Sequence, residues 1–429
     1  MKKIICTLLA LVLVLGAFAF TAMAEGPVEL VIWGGVPEEN GPANLVARFN
    51  EKFDGQYHAT YYRFVNDDTG NTKLETALLS GEQIDVFFSY GLDKVTSRAN
   101  GGMIYDLSQI EGATDWIEAT LIDGCLNYID GKVYYVPTNA ETQFIYLNKD
   151  MFDEAGLEIP TSWTLDEYLE TAKKLTTDDH YGMFSFKSYG GDDTFLRVSM
   201  GLGYYYNEDG TAADFNNDKV REVVEKFYNV HTVDKSSYPY GDSLAQGLDS
   251  YAQDLILNGD VAMIESSYWF LRYFKDPENY PHDFVTAFAP MPTIGEGWNN
   301  GTLNNFISIA ANCANPDVAW EFVKFWASEG YDSLYIGGKI PVVREGVDQD
   351  ALIAGLLGEN AEAIFDLDSF MNVFENPAPF STQKYTVAAP EISQILSEER
   401  DSLYLGAIDV DTFLATVEER ITEAIQNAN

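Results

Sequence analysis

Residues 129–175, IDGKVYYVPTNAETQFIYLNKDMFDEAGLEIPTSWTLDEYLETAKKL, decide the fold. Val133 to Val136 is a short apolar, aromatic run entered through an Asp130-Gly131 turn, and Pro137, which has no N–H for a ladder, is expected to close that strand. A second strand is expected from Phe144 to Leu147. Between the two, Thr138, Asn139, Ala140, Glu141, Thr142 and Gln143 are too polar for a core and too few for a crossover helix. The stretch therefore reads as a bridge between two sheets. The helix that follows opens on a capping box, Thr164 with Glu167, and puts Leu165, Tyr168, Leu169, Ala172 and Leu175 on one face. That face requires a core beyond the bridge.

The order GK-V-Y-x-V-P, a polar bridge, F-x-Y-x-NKD-x-F-x-x-AG and then P-x-S-W-x-x-x-E-Y-L resembles the extracellular solute-binding proteins of the maltose-binding-protein type, which deliver sugars to ABC importers. The resemblance implies an α/β, two-lobe periplasmic-binding-protein-like fold of type II, each lobe a mainly parallel sheet flanked by helices. It places lobe 1 at 25–138 plus 286–338 and lobe 2 at 139–285 plus 339–429, with hinge crossings near 138–143, 283–288 and 337–343, and a ligand held in the cleft between the lobes.

Working outward, Val28 to Trp33 is a compact apolar strand, broken by Gly34, Gly35 and Pro37 before a helix whose Leu45, Val46, Phe49 and Phe53 share a face. A helix over Thr72 to Leu79 stops at Gly81 and leads into a strand over Ile84 to Phe88. Such alternation implies a sheet covered by helices. Tyr181 to Phe186 reads as a strand, Tyr204 to Phe215 as a hairpin around Asp209-Gly210, and Asp218 to Tyr228 as a helix with Val220, Val223, Val224 and Phe227 inward. The acidic hairpin tip lacks the ligand spacing of a calcium loop. Leu248 to Leu257 is expected to be helical, Phe284 to Pro290 and Phe306 to Ala310 to be strands, which the resemblance assigns to lobe 1. Asn315 and Pro316 open a helix with Ala319, Phe322, Val323 and Trp326 inward. The resemblance matches GGKIPVV, Gly337 to Val343, to a return crossing, and the helical tail from Glu391 to Ile425 closes on lobe 2.

Composition narrows the function. Hydrophobic residues make up 46% of the 429 and charged residues 22%, as in soluble globular proteins. Lys2 and Lys3, the apolar run Ile4 to Phe20 and the small-residue site Ala22-Met23-Ala24 form a secretory signal peptide, expected to be cleaved after Ala24; no cysteine stands where a lipoprotein signal needs one. Removing residues 1–24 lowers the Lys and Arg count from 26 to 24 and leaves all 67 acids, a net charge of −43. Such a surface repels phosphates, so nucleic acid is not an expected partner. Cys125 and Cys313 remain, with pairing permitted by the compartment but not required.

Sugars present apolar faces edged by hydroxyls, which aromatic rings and carboxylates together can grip. By resemblance, Glu141, nine residues before Asp150, has the register of a hinge-adjacent glutamate that binds sugar hydroxyls, and Trp269, after AMIESSY, that of a stacking tryptophan. Tyr90 and Trp33 leave their strands at C-terminal ends, where ligands bind in open α/β sheets. Glu38 and Glu39 share the loop beyond Trp33, where the resemblance implies hydroxyl-binding polar residues; Glu39 is the candidate, although the register does not separate the two. Tyr189 and Asp192 fall near a segment that supplies an aromatic and an acid in relatives, and Asn305 precedes a strand where an amide is expected.

The motifs G-x-S-x-G, H-E-x-x-H, G-x-x-x-x-G-K-[ST] and C-x-x-C do not occur, and the four histidines are scattered among polar neighbours. No catalysis, cofactor or metal site is expected. The expectation is a monomeric, extracytoplasmic protein that captures a sugar, an oligosaccharide by preference, and passes it to a membrane ABC permease. Its alternatives are a binding protein for a polyamine or peptide, which the acidity suggests, and a secreted carbohydrate-active enzyme.

Overall fold

The computed structural model describes residues 26–187, 191–248, 251–294, 301–377, 380 and 387–428. Two sheets divide them. The first has strand order β2 (Tyr57–Arg63), β1 (Val28–Gly34), β3 (Val86–Ser89), β9 (Thr302–Ile309), β4 (Val136–Glu141); the second runs β6 (Tyr181–Phe184), β7 (Val261–Ser266), β5 (Phe144–Asn148), β8 (Thr286–Pro290). The sheets are mixed. β1 pairs in parallel with β2 and β3, and β6 with β7, as βαβ units do; the strands nearest the crossings, β4, β5, β8 and β9, pair antiparallel.

Strand alternation gives each sheet two covered faces. In lobe 1, Leu30, Ile32, Val86, Phe88 and Ile307 meet α1 (Pro42–Lys52) and α7 (Pro316–Ala327), while Trp33, Phe87 and Phe306 share the other core with α2 (Asp68–Ser80) and α3 (Leu92–Asn100). Lobe 2 buries Ile145, Leu147, Met183 and Met263 under α4 (Leu165–Lys174), α5 (Gly191–Met200), α6 (Asp218–Asn229), α8 (Ala389–Tyr404) and α9 (Val410–Ala428). The capping box forms as expected: the Thr164 hydroxyl accepts from the Glu167 N–H, and the Glu167 carboxylate accepts from the Thr164 N–H at 2.7 Å.

Three expectations are corrected. Pro137 does not end a strand; it lies inside β4, which is the edge strand of its sheet, so its missing N–H leaves no ladder partner unmatched. The polar residues Thr138 to Glu141 are therefore buried strand, and only Thr142 and Gln143 separate β4 from β5. Thr286–Pro290 is not in lobe 1: it pairs with β5, and Thr293 still exchanges backbone hydrogen bonds with Trp163 and Leu165, so the chain stays with lobe 2 at least as far as Thr293. The return segment also stays longer with lobe 1, since Ile340, Val342 and Arg344 bond to the backbone of Ala140, Ile122 and Thr120. Cys125 and Cys313 are free thiols. No helix among the described residues is long and apolar enough to cross a membrane.

Candidate functional site

The site forms where strand ends from both lobes face the crossings. β3 ends at Ser89 and the chain turns outward at Tyr90, whose hydroxyl accepts the Gly35 N–H at 2.6 Å. A Cβ at Gly35 would stand 2.8 Å from the Tyr90 ring, so the glycine is what admits the ring. Burial raises the pKa of this phenol, the Gly35 hydrogen bond opposes that, and Tyr251 raises it further while Arg272 lowers it. Tyr251 and Arg272 come from lobe 2, so charges of the opposite lobe lie within electrostatic reach of Tyr90.

From lobe 2, β7 ends at Ser266 and a tight turn, Tyr268–Phe270, carries Trp269. The Arg272 guanidinium lies 5.0 Å from the centre of the Trp269 ring and 4.8 Å from that of Tyr273, and it donates to the Tyr273 hydroxyl at 2.8 Å. Tyr251 meets Trp269 edge-on at 6.3 Å.

The floor is built by the crossings. Glu141, at the end of β4, accepts from the Ser267 hydroxyl of lobe 2 and, at 2.8 Å, from the Asn304 amide of lobe 1. It thus ties the two lobes, and each oxygen keeps a further acceptor direction. Gly338, at φ +73°, lies so close to the Trp269 turn that a Cβ would stand 2.1 Å from the Tyr268 carbonyl oxygen. The next residue, Lys339, is only 6% exposed. Burial pulls its pKa down to about 8; Glu141 works against that shift and Arg272 adds to it. No carboxylate among the described residues lies within ion-pair distance of Lys339 or Arg272.

Of the residues singled out in the sequence, Tyr90, Trp269 and Glu141 come together around this cleft. Trp33 does not: alternation along β1 turns it into the core beside Phe87 and Leu74, 9% exposed, with the Lys73 ammonium 5.5 Å from its ring centre. Asp192 has another task. It is 1% exposed and accepts from Arg400 Nε at 3.1 and 2.9 Å and from the Tyr404 hydroxyl at 2.6 Å, which pins α5 to α8 inside lobe 2. Asn305 is buried at φ +52° and its carbonyl accepts from Thr138, so the amide that reaches the site belongs to its neighbour Asn304. Glu38 and Glu39 are both exposed, in a single turn that leans on Gly337 through Asn40. Tyr189 lies outside the described residues. Arg272, Tyr251, Asn304 and Lys339 were not singled out in the sequence. For Lys339 a signal existed: a lysine inside the apolar, glycine-rich GGKIPVV of a chain with only 26 basic residues.

Comparison with known proteins agrees with this architecture. The chain is similar to the galactooligosaccharide-binding protein of Bacillus subtilis, 22% identical over 412 residues that cover 87% of this chain and 88% of that one. A local similarity to the arabinooligosaccharide-binding protein of Halalkalibacterium halodurans, 28% identical over 184 residues, covers 39% of this chain and 37% of the relative. Among solved structures, an ABC substrate-binding protein of Listeria monocytogenes in complex with cycloalternan superposes with a TM-score of 0.72 at 21% identity, covering 92% of this chain and 98% of that one, which establishes a shared fold. Residues 39–332 match the model of a family described as bacterial extracellular solute-binding protein, and with that match extending over more than half of its length, the chain belongs to this family.

Proposed function

We propose that this protein captures a sugar, an oligosaccharide by preference, in the cleft between its lobes and presents it to a membrane ABC permease, acting as a monomer outside the cytoplasm after loss of residues 1–24. The observation that carries the reading is the gathering of rings from both lobes, Tyr90 of lobe 1 within electrostatic reach of Tyr251 of lobe 2, which meets Trp269 edge-on, beside a floor holding the Glu141 carboxylate and the Asn304 amide. Flat rings match the C–H faces of a pyranose, and the floor offers donors and acceptors to its hydroxyls. The relatives' oligosaccharide ligands favour the same chemistry. The described residues within 26–141 and 302–344 make one lobe and those within 142–294 and 345–428 the other, and ligand contact with both selects the closed form by its greater affinity for that form. The ligand leaves unchanged, a reading supported by the chain's membership of a family of solute-binding proteins.

A polyamine is the poorer fit, because the charges beside the rings that lack ion-pair partners among the described residues are the cations Arg272 and Lys339. A panel of oligosaccharides assayed by thermal shift tests the reading: a true ligand at 100 times its Kd stabilises the protein by about 2.7 kcal/mol, and Trp269→Ala abolishes most of that shift. If no sugar moves the melting temperature while a polyamine or peptide does, the sugar reading fails.

A further inference from the structure

Acids outnumber bases in this chain by 67 to 26, so a lysine or arginine has no shortage of partners. The buried Arg400 is gripped by Asp192 and Asp193, and the buried Arg98 is reached by Glu75. Lys339 and Arg272 depart from this pattern. Lys339 is nine-tenths buried, and its one nearby carboxylate, Glu141, is beyond ion-pair distance and already accepts from Ser267 and Asn304. Arg272 is held by the rings of Trp269 and Tyr273 and by the Tyr273 hydroxyl rather than by an acid, and the N–H donors not spent on that hydroxyl are left to a planar, doubly accepting partner. The two cations are near enough to repel, for Gly338, next to Lys339 in the chain, is packed against the Trp269 turn on whose ring Arg272 lies. A protein keeps a charge buried when something answers it. Among the described residues no carboxylate supplies it.

Resting on the sugar reading above, we infer that the natural ligand is an acidic carbohydrate, whose anionic group is received between Lys339 and Arg272 while its ring stacks against the cleft aromatics. A uronate carboxylate fits the arginine fork and the lysine point charge; a sugar phosphate presents the same shared chemistry, an anion on a polyhydroxylated ligand. The long-range field of the chain opposes any anion, so recognition depends on these two groups at close quarters.

The test is calorimetric titration with three sets of probes: di- and trigalacturonate, the same oligomers with their carboxylates reduced to neutral alcohols, and a hexose 6-phosphate. Wild-type protein should bind an acidic probe at least tenfold more tightly than its neutral counterpart. Lys339→Met and Arg272→Met should each lower that preference about tenfold, Lys339→Arg should restore much of it, and Lys324→Met, which removes only a surface partner of Glu321, should leave it unchanged. Circular dichroism of each variant checks that it is folded. Tighter binding of the hexose phosphate than of galacturonate supports the anion site with phosphate as its source. Neutral and acidic oligomers binding alike, with Lys339→Met affecting both equally, overturns the inference and leaves the sugar reading standing. Binding to none of these or to any sugar in the wider panel defeats both.

Discussion

Asp192 separates a structural acid from a ligand-binding one, and its environment fixes what its removal should do. Its carboxylate is 2% exposed and the Arg400 side chain 11%, so the pair has little solvent to screen it. Around it, Arg400 Nη2 donates to Asp193 at 3.1 Å and to the Tyr204 hydroxyl at 3.0 Å, Tyr204 donates to Asp193 at 2.9 Å, and Arg197 pairs with Asp193 at 2.6 Å. Burial pulls the Arg400 pKa down, but Asp192, Tyr204 and Asp193 together hold it well above the usual arginine value. Arg400→Met strips Asp192 of its cation and leaves it with Tyr404 alone, whereas Asp193 keeps Arg197. Breaking one side of a buried pair costs about 3–5 kcal/mol. Asp192→Asn keeps the volume and one acceptor for Tyr404, and Arg400 retains Asp193, so its cost should be smaller, roughly 2 kcal/mol. The double variant should be less destabilised than the sum of the two by more than about 1 kcal/mol, since the second change removes the charge that the first left unpaired. Urea denaturation followed by far-UV circular dichroism gives the stabilities, and calorimetry at a temperature where each variant is folded gives ligand affinity. A variant Asp192→Asn with unchanged stability and abolished binding would refute the structural assignment and return Asp192 to the ligand site.

Three further outcomes follow from single groups. Burial pushes the Glu265 carboxyl up from 4.5 to about 8, against hydrogen bonds from the Gly191 N–H and Ser185; its contribution to stability is complete below pH 4.5 and lost as pH rises through 8, at most about 5 kcal/mol. Glu265→Gln should therefore stabilise the protein at pH 9 and change it by less than about 1 kcal/mol at pH 4.5, and a gain independent of pH would contradict the assignment. Gly338→Ala combines a φ of +73° with a Cβ 2.1 Å from the Tyr268 carbonyl oxygen, so it should displace the Trp269 turn, lower stability by at least about 2 kcal/mol and weaken sugar binding, with melting and titration as the two readouts. For an acidic ligand, affinity should fall as pH rises past 8, because Lys339, faced by Glu141 and Arg272, loses its proton; Lys339→Arg should flatten that fall between pH 7 and 9.5.

How far the sequence discloses this molecule depends on the range of the interaction concerned. The capping box at Thr164, the inward face of α6 and the left-handed stop at Gly81 are complete within a few residues and are readable there. The seven residues of β2 gave no such signal, because only Ala59 and Tyr61 turn inward and the rest of YHATYYR is polar or half-exposed. The place of Trp33 is hidden for a related reason: both faces of its sheet are covered, so alternation along β1 does not reveal which neighbour each side chain meets. Asp192 owes its role to Arg400, 208 residues away, and no local pattern announces that partner. The candidate site divides the same way. Tyr90 and Trp269 are legible as aromatic exits from strands, while the approach of Arg272 to Lys339 depends on a crossing and a turn that meet only when the chain has folded.

That meeting bears on how ligand and hinge are coupled. Lys339 rides on a segment bonded to lobe 1, where the Ile340 N–H donates to the Asn139 side chain at 2.9 Å and the Ala140 N–H donates to the Ile340 carbonyl, whereas Arg272 is seated on the Trp269 turn of lobe 2. Any rotation that parts the lobes changes the separation of the two cations. Arg272 already bears on the Lys339 ammonium in this structure, and like charges brought together repel more strongly the closer they come. In the empty protein this repulsion opposes the Glu141 contact with Ser267, which draws the lobes together. An anion received between the cations cancels it only in the closed form, and that is the difference in affinity a ligand must have if it is to drive closure at all. The same argument separates the two kinds of ligand. A neutral sugar closes the lobes against the repulsion, while an acidic one closes them by removing it, so Lys339→Met should make the empty protein more closed and leave less further closure for an acidic sugar to produce, a change that small-angle scattering of the two states resolves.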